Sequence, residues 1–181
     1  MSETKVITGK VRFSYAQVFE PKAMNENSAP KYSISLVILK KDKKTIAKLE
    51  AAIASAIEEG KKSKWGGKVP KNLKMPLRDG DMEREDDEVY SGCMFINANS
   101  GQKPGLVDAD LNPIMDKDEF YSGCYGRASI NLYPYDTNGS KGIACGLNNL
   151  QKLEDGERLS GSGATAEDDF GSKEDEDLMK D

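Results

Sequence analysis

This sequence predicts an α+β fold: a mainly β domain with one principal helix, ending in a disordered acidic tail. Three observations lead there. Apolar residues recur with a period of two in several short segments, they switch to helical spacing once, after Asp42, and residues 160–181 are dominated by Gly, Ser and acids.

The elements follow in chain order. Residues 4–20 read as a long strand or a bent pair, with Val11, Phe13, Tyr15 and Phe19 alternating against Arg12, Ser14 and Val18. A turn-rich connection over residues 20–30 leads to a strand at residues 31–39, where Tyr32, Ile34, Leu36 and Ile38 share one face. Val37 and Leu39 fall on the other face, so this strand is expected to be buried on both sides at its end. From Asp42 onward, Ile46, Leu49, Ile53 and Ile57 take up helical spacing with alanines between them. Asp42 as N-cap and Gly60 as C-cap bound a helix of roughly 16–18 residues lying against a sheet. Residues 60–79 form a basic loop, and the acidic stretch 79–88 closes the insertion. Residues 93–99, 123–135 and 142–147 read as further strands, the last two joined by a turn that contains the Asn138-Gly139 step. One helix set after the early strands of such a chain is compatible with an OB-fold-like five-stranded barrel. The expected division is a domain over 1–159 and a flexible tail over 160–181.

Charge is unevenly placed. The net of −5 divides into 17 Lys/Arg against 7 Asp/Glu over residues 1–78, and 9 against 24 over residues 79–181. A positive first half tethered to a negative second half points to a polyanionic partner and to internal competition for it.

Several function classes fall away. There is no histidine, which removes the commonest general base, triad member and zinc ligand. Cys93, Cys124 and Cys145 are odd in number and widely spaced, which suits small buried apolar side chains better than a disulfide framework or a metal knuckle. Lys61-Lys62-Ser63-Lys64-Trp65-Gly66-Gly67-Lys68 is neither a phosphate loop nor a dinucleotide fingerprint. The acids of residues 79–88 read as solvated side chains rather than a metal nuclease site. The start of the chain is polar and unlike a signal peptide, and Leu36-Val37-Ile38-Leu39 is far too short to span a bilayer. A soluble, non-catalytic protein without cofactor or metal is therefore expected.

Two features carry the positive reading. In residues 125–135, strand geometry sends Ala128, Ile130 and Leu132 to one side and Tyr125, Arg127, Ser129, Asn131, Tyr133 and Tyr135 to the other. Three tyrosines with an arginine form a surface on which bases of any identity can stack, at about 1–3 kcal/mol each. The same tyrosines could instead pack across strands. The second feature is the basic loop, where Lys61, Lys62, Lys64, Lys68, Lys71 and Lys74 surround Trp65, the only tryptophan. This loop is either a clamp on a nucleic-acid backbone, aided by Lys141 in the late turn, or a solvated loop with Trp65 tucked into the core. In the tail, Glu167, Asp168, Asp169, Phe170, Glu174, Asp175, Glu176 and Asp177 form either a solubilising extension or a polyanion that mimics nucleic acid, with Phe170, Leu178 and Met179 as small apolar anchors for a partner.

Residues 13–21, 31–36 and 142–153, in their order and spacing, resemble the bacteriophage single-stranded DNA-binding protein family, over roughly residues 5–160. The resemblance implies an OB-fold core and sequence-independent binding of single-stranded DNA in replication, recombination or repair. It also implies recruitment of a phage or host DNA polymerase, helicase or nuclease through the tail, in the cytoplasm of an infected bacterial host. Strand annealing in recombination is the alternative activity, and a monomer or homodimer is the expected state. In several such proteins an aromatic residue ends the chain, whereas here Phe170 is internal and the chain ends Leu178-Met179-Lys180-Asp181.

Overall fold

The computed structural model describes residues 4–23, 26–27 and 29–159; the acidic tail lies outside these residues. Eight strands and two helices follow one another as β1 (Lys5–Ile7), β2 (Val11–Lys22), β3 (Lys31–Leu39), α1 (Lys43–Ser63), β4 (Leu77–Asp79), α2 (Gly80–Glu83), β5 (Cys93–Ser100), β6 (Gly105–Val107), β7 (Tyr125–Thr137) and β8 (Ser140–Glu154). Strands β2, β3, β5, β8 and β7 are hydrogen-bonded in that order, and β7 returns to β2 through Val11↔Gly126 and Arg12↔Tyr125. This closes a ring of five strands. All its pairings are antiparallel except β5 with β8, which meet in parallel at Asn99↔Gly146. The remaining short strands lie against the ring, β1 on β7, β4 on β5 and β6 on β8.

The interior is apolar because alternate residues of each strand turn inward. Phe13, Leu36, Ile38, Ile96, Ile130 and Leu132 are fully buried there, and Phe13 stacks on Phe120 with ring centroids 5.1 Å apart. Each such side chain removed from water stabilises the fold by about 1.5–3 kcal/mol. Helix α1 adds Leu49, Ala52, Ile53 and Ala56 to the same core. Its N-terminus is capped as expected, the Asp42 carboxylate accepting from Thr45 N at 3.2 Å.

The helix does not stop at Gly60. It runs to Ser63, and Gly60 is buried within it. A Cβ at Gly60 would stand 2.7 Å from the Trp65 ring and 2.8 Å from Pro134 Cβ. The glycine serves close approach, not chain reversal.

The outer face of β3 and β5 has a second, smaller core. Val37, Tyr90, Cys93 and Phe95 pack there, with Tyr90 and Phe95 edge to face at 5.0 Å. Val37 is thus buried on the second face as expected, but Leu39 is exposed: the covering segment ends before it. That cover comes from the acidic stretch, which is ordered into β4, α2 and a 3₁₀ turn at Glu88–Tyr90. Asp79 and Asp87 cap its two turns, and Lys40 ties it down through ion pairs to Asp79 at 2.9 Å and Asp81 at 2.7 Å. The three cysteines are free and buried, and burial pushes the Cys145 thiol up to about 12. Among the described residues, no helix is long and apolar enough to cross a membrane and no group of His, Cys, Asp or Glu is arranged to hold a metal ion.

Candidate nucleic-acid interface

Strand β7 alternates as its sequence requires. Gly126, Ala128, Ile130, Leu132 and Pro134 are buried, Arg127 and Tyr133 are exposed, and Tyr125, Ser129, Asn131 and Tyr135 are partly exposed. On β8, Gly142, Ala144 and Gly146 stand opposite Tyr135, Tyr133 and Asn131. These small partners leave the tyrosines as the relief of the outer face. A Cβ at Gly142 would meet Tyr135 Oη at 2.7 Å, and one at Gly146 would meet Tyr133 Cε1 at 3.5 Å. Tyr133 is 39% exposed. Its partial burial, with Cys145 and Tyr135 nearby, raises the pKa of the phenol, which stays neutral.

The basic loop is sewn to this hairpin. Lys74 N donates to Lys141 O at 3.0 Å, Ile143 N donates to Lys74 O at 2.9 Å, and Lys74 bridges Gly142. Lys74 and Lys141 therefore flank the Tyr133–Tyr135 patch. Lys61 and Lys62 lie in the last turn of α1 and not in the loop, Lys61 partly covered beside Glu58 and Lys62 exposed, while Lys64, Lys68 and Lys71 are exposed along the loop that follows. Trp65 is not a surface aromatic. It is 7% exposed, packs in the core, and donates its indole N–H to Tyr135 O at 3.2 Å. Its ring anchors the loop and is closed to a stacking base.

The tyrosine face is not one patch. Tyr125 and Tyr133 are eight residues apart on one strand, or about 27 Å. At the far end Tyr125 sits beside Lys10 and Arg12, at 5.7 and 5.3 Å from the ring centroid. Arg12 also donates to Gly123 O and Glu157 O, and Arg127 donates through Nε to Thr8 O at 2.9 Å. Tyr125 and Arg127 thus sit in a network that ties β7 to the N-terminal strands, while Tyr133, Tyr135, Lys74 and Lys141 gather at the hairpin end.

A third surface was not anticipated. Ser33 of β3 faces Asn99 of β5, Asn99 pairs with Gly146 of β8, and Gly146 with Asn131 of β7. These pairings form a polar row across four strands that leads to the tyrosine patch. Beside it, Ser35 faces Asn97. Tyr15 stands over this floor at a bulge in β2, where the register slips between Ser14 and Gln17 and Tyr15 adopts a φ of 47°. The bulge leaves Tyr15 48% exposed in a groove of about 330 Å³ lined by Ser33, Ser35, Arg84 and Asn97. Simple alternation put Tyr15 on the side of Phe13, and nothing in the local sequence announces the bulge. The Asn97-Ala98-Asn99-Ser100 run was the legible signal, since buried strands seldom carry two asparagines on one face.

An acidic wall bounds this groove. Tyr15 also lines a wider recess of about 750 Å³ with Ser14, Leu159 and residues 82–89, which include five carboxylates. Arg84 lies over the rings of Tyr90 and Phe95 at 5.7 and 5.4 Å and separates the wall from the serine–asparagine floor.

The comparisons with known proteins agree with this architecture. Residues 4–179 match the family described as Enterobacter phage Enc34, ssDNA-binding protein. A protein designated p50, from Acyrthosiphon pisum secondary endosymbiont phage 1, is 31% identical over 188 aligned positions, covering 97% of this chain and 98% of its own. Among solved structures, the single-stranded DNA-binding protein of bacteriophage Enc34 in complex with ssDNA superposes with a TM-score of 0.77 at 24% identity, covering 87% of this chain and 90% of that one. A C-terminal truncation of the same Enc34 protein gives 0.73 at 25% identity, covering 86% and 88%. The single-stranded DNA-binding protein gp2.5 of bacteriophage T7 gives 0.60 at 17% identity, covering 91% and 99%.

Proposed function

Since the chain belongs to the family of ssDNA-binding proteins described from Enterobacter phage Enc34, we propose that it binds single-stranded DNA, independently of sequence, across the outer faces of β3 and β5 and up onto the β7–β8 hairpin. The carrying observation is the row Ser33–Asn99–Gly146–Asn131, with exposed Tyr15 at one side and Tyr133 at the other. In five-stranded barrels of this topology, the face of the second and third strands and the loop joining the fourth and fifth are the usual oligonucleotide surface. Those strands are β3 and β5 here, and that loop is the turn of the β7–β8 hairpin. Hydroxyl and amide side chains on the floor offer donors and acceptors to any base, and the tyrosines offer faces to any ring. Lys71, Lys74 and Lys141 meet the phosphates, and the other lysines of the loop add field. Binding is the whole of this chemistry; no catalytic group is required.

The body over 1–159 binds, and the tail over 160–181 regulates and recruits. Leu159 lines the recess beside Tyr15 and its amide donates to Ser122 O at 3.0 Å, so the chain enters the acidic tail at the rim of the proposed path. A tethered polyanion there competes with DNA at millimolar effective concentration. Once displaced by DNA, it is available to a replication or recombination partner such as a polymerase, helicase or nuclease in the infected host.

Fluorescence anisotropy with a labelled mixed-sequence single strand and its duplex, at low and moderate salt, tests this. The expected result is tight, salt-sensitive binding to the single strand and weaker binding to the duplex. Tyr15→Ala and Tyr133→Ala should each weaken single-strand binding by about 1–3 kcal/mol. A folded protein that ignores the single strand at low salt would overturn the proposal.

A further inference from the structure

The long strand β8 carries loops of opposite character at its two ends. Near its start, Gly142 and Ile143 pin residues 61–74 through Lys74. Nine residues on, Gln151 lies opposite Val107 of β6 and its side-chain amide donates to Asp108 O at 3.4 Å, which pins residues 108–119. Nine strand residues span about 30 Å, so the loops stand at opposite ends of the domain.

The first segment, the end of α1 with the loop after it, has six lysines and no acid over residues 61–74, and Val69 and the adjoining Met75 are exposed. The second has five acids against one lysine, and Leu111 and Met115 are 69% and 88% exposed. This second loop is firmly built. The Asp108 carboxylate accepts from Asp110 N and Asn112 N at 2.9 Å each, and Ile114 N donates to Leu106 O at 2.8 Å. It holds Leu111 at a φ of 68°, a region that costs a branched side chain on the order of 1 kcal/mol or more. Single exposed apolar side chains are ordinary. Here each apolar pair sits among charges of one sign, and the two signs are opposite.

We infer that these loops are the two sides of one interface: the 108–119 loop of one copy docks on the 61–74 loop of a second copy, head to tail. The two surfaces differ and lie at opposite ends, so the contact propagates into an open chain instead of closing into a dimer. The inference rests on the single-strand reading, because a bound strand is what aligns successive copies. Each bound copy then offers its neighbour a complementary surface at high local concentration, and the coat grows in clusters.

A charge exchange tests it with the full chain. Binding is followed on a strand of about 12 nucleotides, within the site of one such barrel, and on a strand several times longer. Wild type should fill the long strand in clusters at sub-saturating protein. The double variant Asp110→Lys with Glu119→Lys should bind the short strand as wild type does, but its cooperativity on the long strand should fall at least about tenfold. The double variant Lys64→Glu with Lys68→Glu should lose clustering as well. Concentrations are scaled to each variant's short-strand affinity, so that a loss of clustering reports the contact between copies and not the grip on the strand. Random filling by wild type, or either double variant clustering on the long strand as wild type does, would overturn the inference while the single-strand reading stands. Wild type that does not bind the short strand would overturn both.

Discussion

Replacing Trp65 by Phe separates the two roles that a lone tryptophan in a lysine-rich loop can play. In the structure the indole is buried, its N–H donates to Tyr135 O at 3.2 Å, and its ring fills the space left by the missing Cβ of Gly60. Phenylalanine keeps an aromatic ring for stacking but loses the donor. The carbonyl keeps its strand partner Gly142, so the lost hydrogen bond costs about 0.5–1.5 kcal/mol. A residual void of a few tens of Å³, at about 24 cal/mol per Å³, contributes roughly 1 kcal/mol more. The sum is about 1.5–2.5 kcal/mol, or a fall in Tm of roughly 3–10 °C for a domain of this size. Urea unfolding followed by far-ultraviolet circular dichroism, with an unchanged m-value, measures it. The affinity of the folded variant for single-stranded DNA should stay as it was, and wild-type tryptophan emission should be blue-shifted and little quenched by DNA. A variant as stable as wild type that binds DNA at least tenfold more weakly would refute the burial argument and return Trp65 to the DNA surface.

Three further outcomes follow from particular contacts. Gly60→Ala should destabilise by about 1–3 kcal/mol although alanine is the better helix former, because the new methyl collides with Trp65 and Pro134; equal or greater stability in the same assay would contradict the packing described. Hydrogen bonds from Lys40 hold the Asp79 and Asp81 carboxyls below the ordinary 3.8, and the same bonds, Asp81 first, raise the Lys40 ammonium above 10.5. The carboxylates contribute fully above pH 3.8 and lose their contribution as pH falls through their lowered values. Lys40 contributes below pH 10.5 and loses its contribution as pH rises through its raised one. The protection factor of the Gly92 amide, which donates to Asp81 Oδ1 at 2.9 Å, should therefore hold between those limits and fall below the lower one, and an unchanged factor there would count against the tether. Deleting residues 160–181 should tighten single-strand binding most at low salt, and weaker or unchanged anisotropy-derived affinity would remove the competition argument.

Much of this molecule could be read from spacing alone, and the exceptions share a cause. Strand β7 was legible because a half-buried strand enforces period two, and Gly126 to Pro134 obey it. The start of α1 was legible because Asp42 makes its cap locally, through Thr45. Its end was not, because Gly60 answers to Trp65 and Pro134, a contact between segments 74 residues apart in sequence. The same holds for Trp65, whose partner Tyr135 lies 70 residues away. Tyr15 escaped because a bulge resets alternation without a signature of its own, and Leu39 because the segment that buries Val37 ends before reaching it. The face carrying Ser33, Asn97 and Asn99 became visible only once β3, β5 and β8 were laid side by side.

The parallel meeting of β5 and β8 sets the order in which the chain can mature. β8 is the last strand to leave the ribosome, yet it is hydrogen-bonded to β7, β5 and β6. The closure of β2 on β7 spans more than a hundred residues, from Val11 to Gly126. Until β8 is made, β7 lacks its partner along its whole length and the Phe13–Leu36–Ile130 interior opens on one side to water. Non-local closures of this kind fold in milliseconds to seconds, and the waiting chain is prone to mispairing. A nascent chain stalled before residue 140 should therefore depend on chaperones and resist refolding, while release of the last strand converts it in one cooperative step.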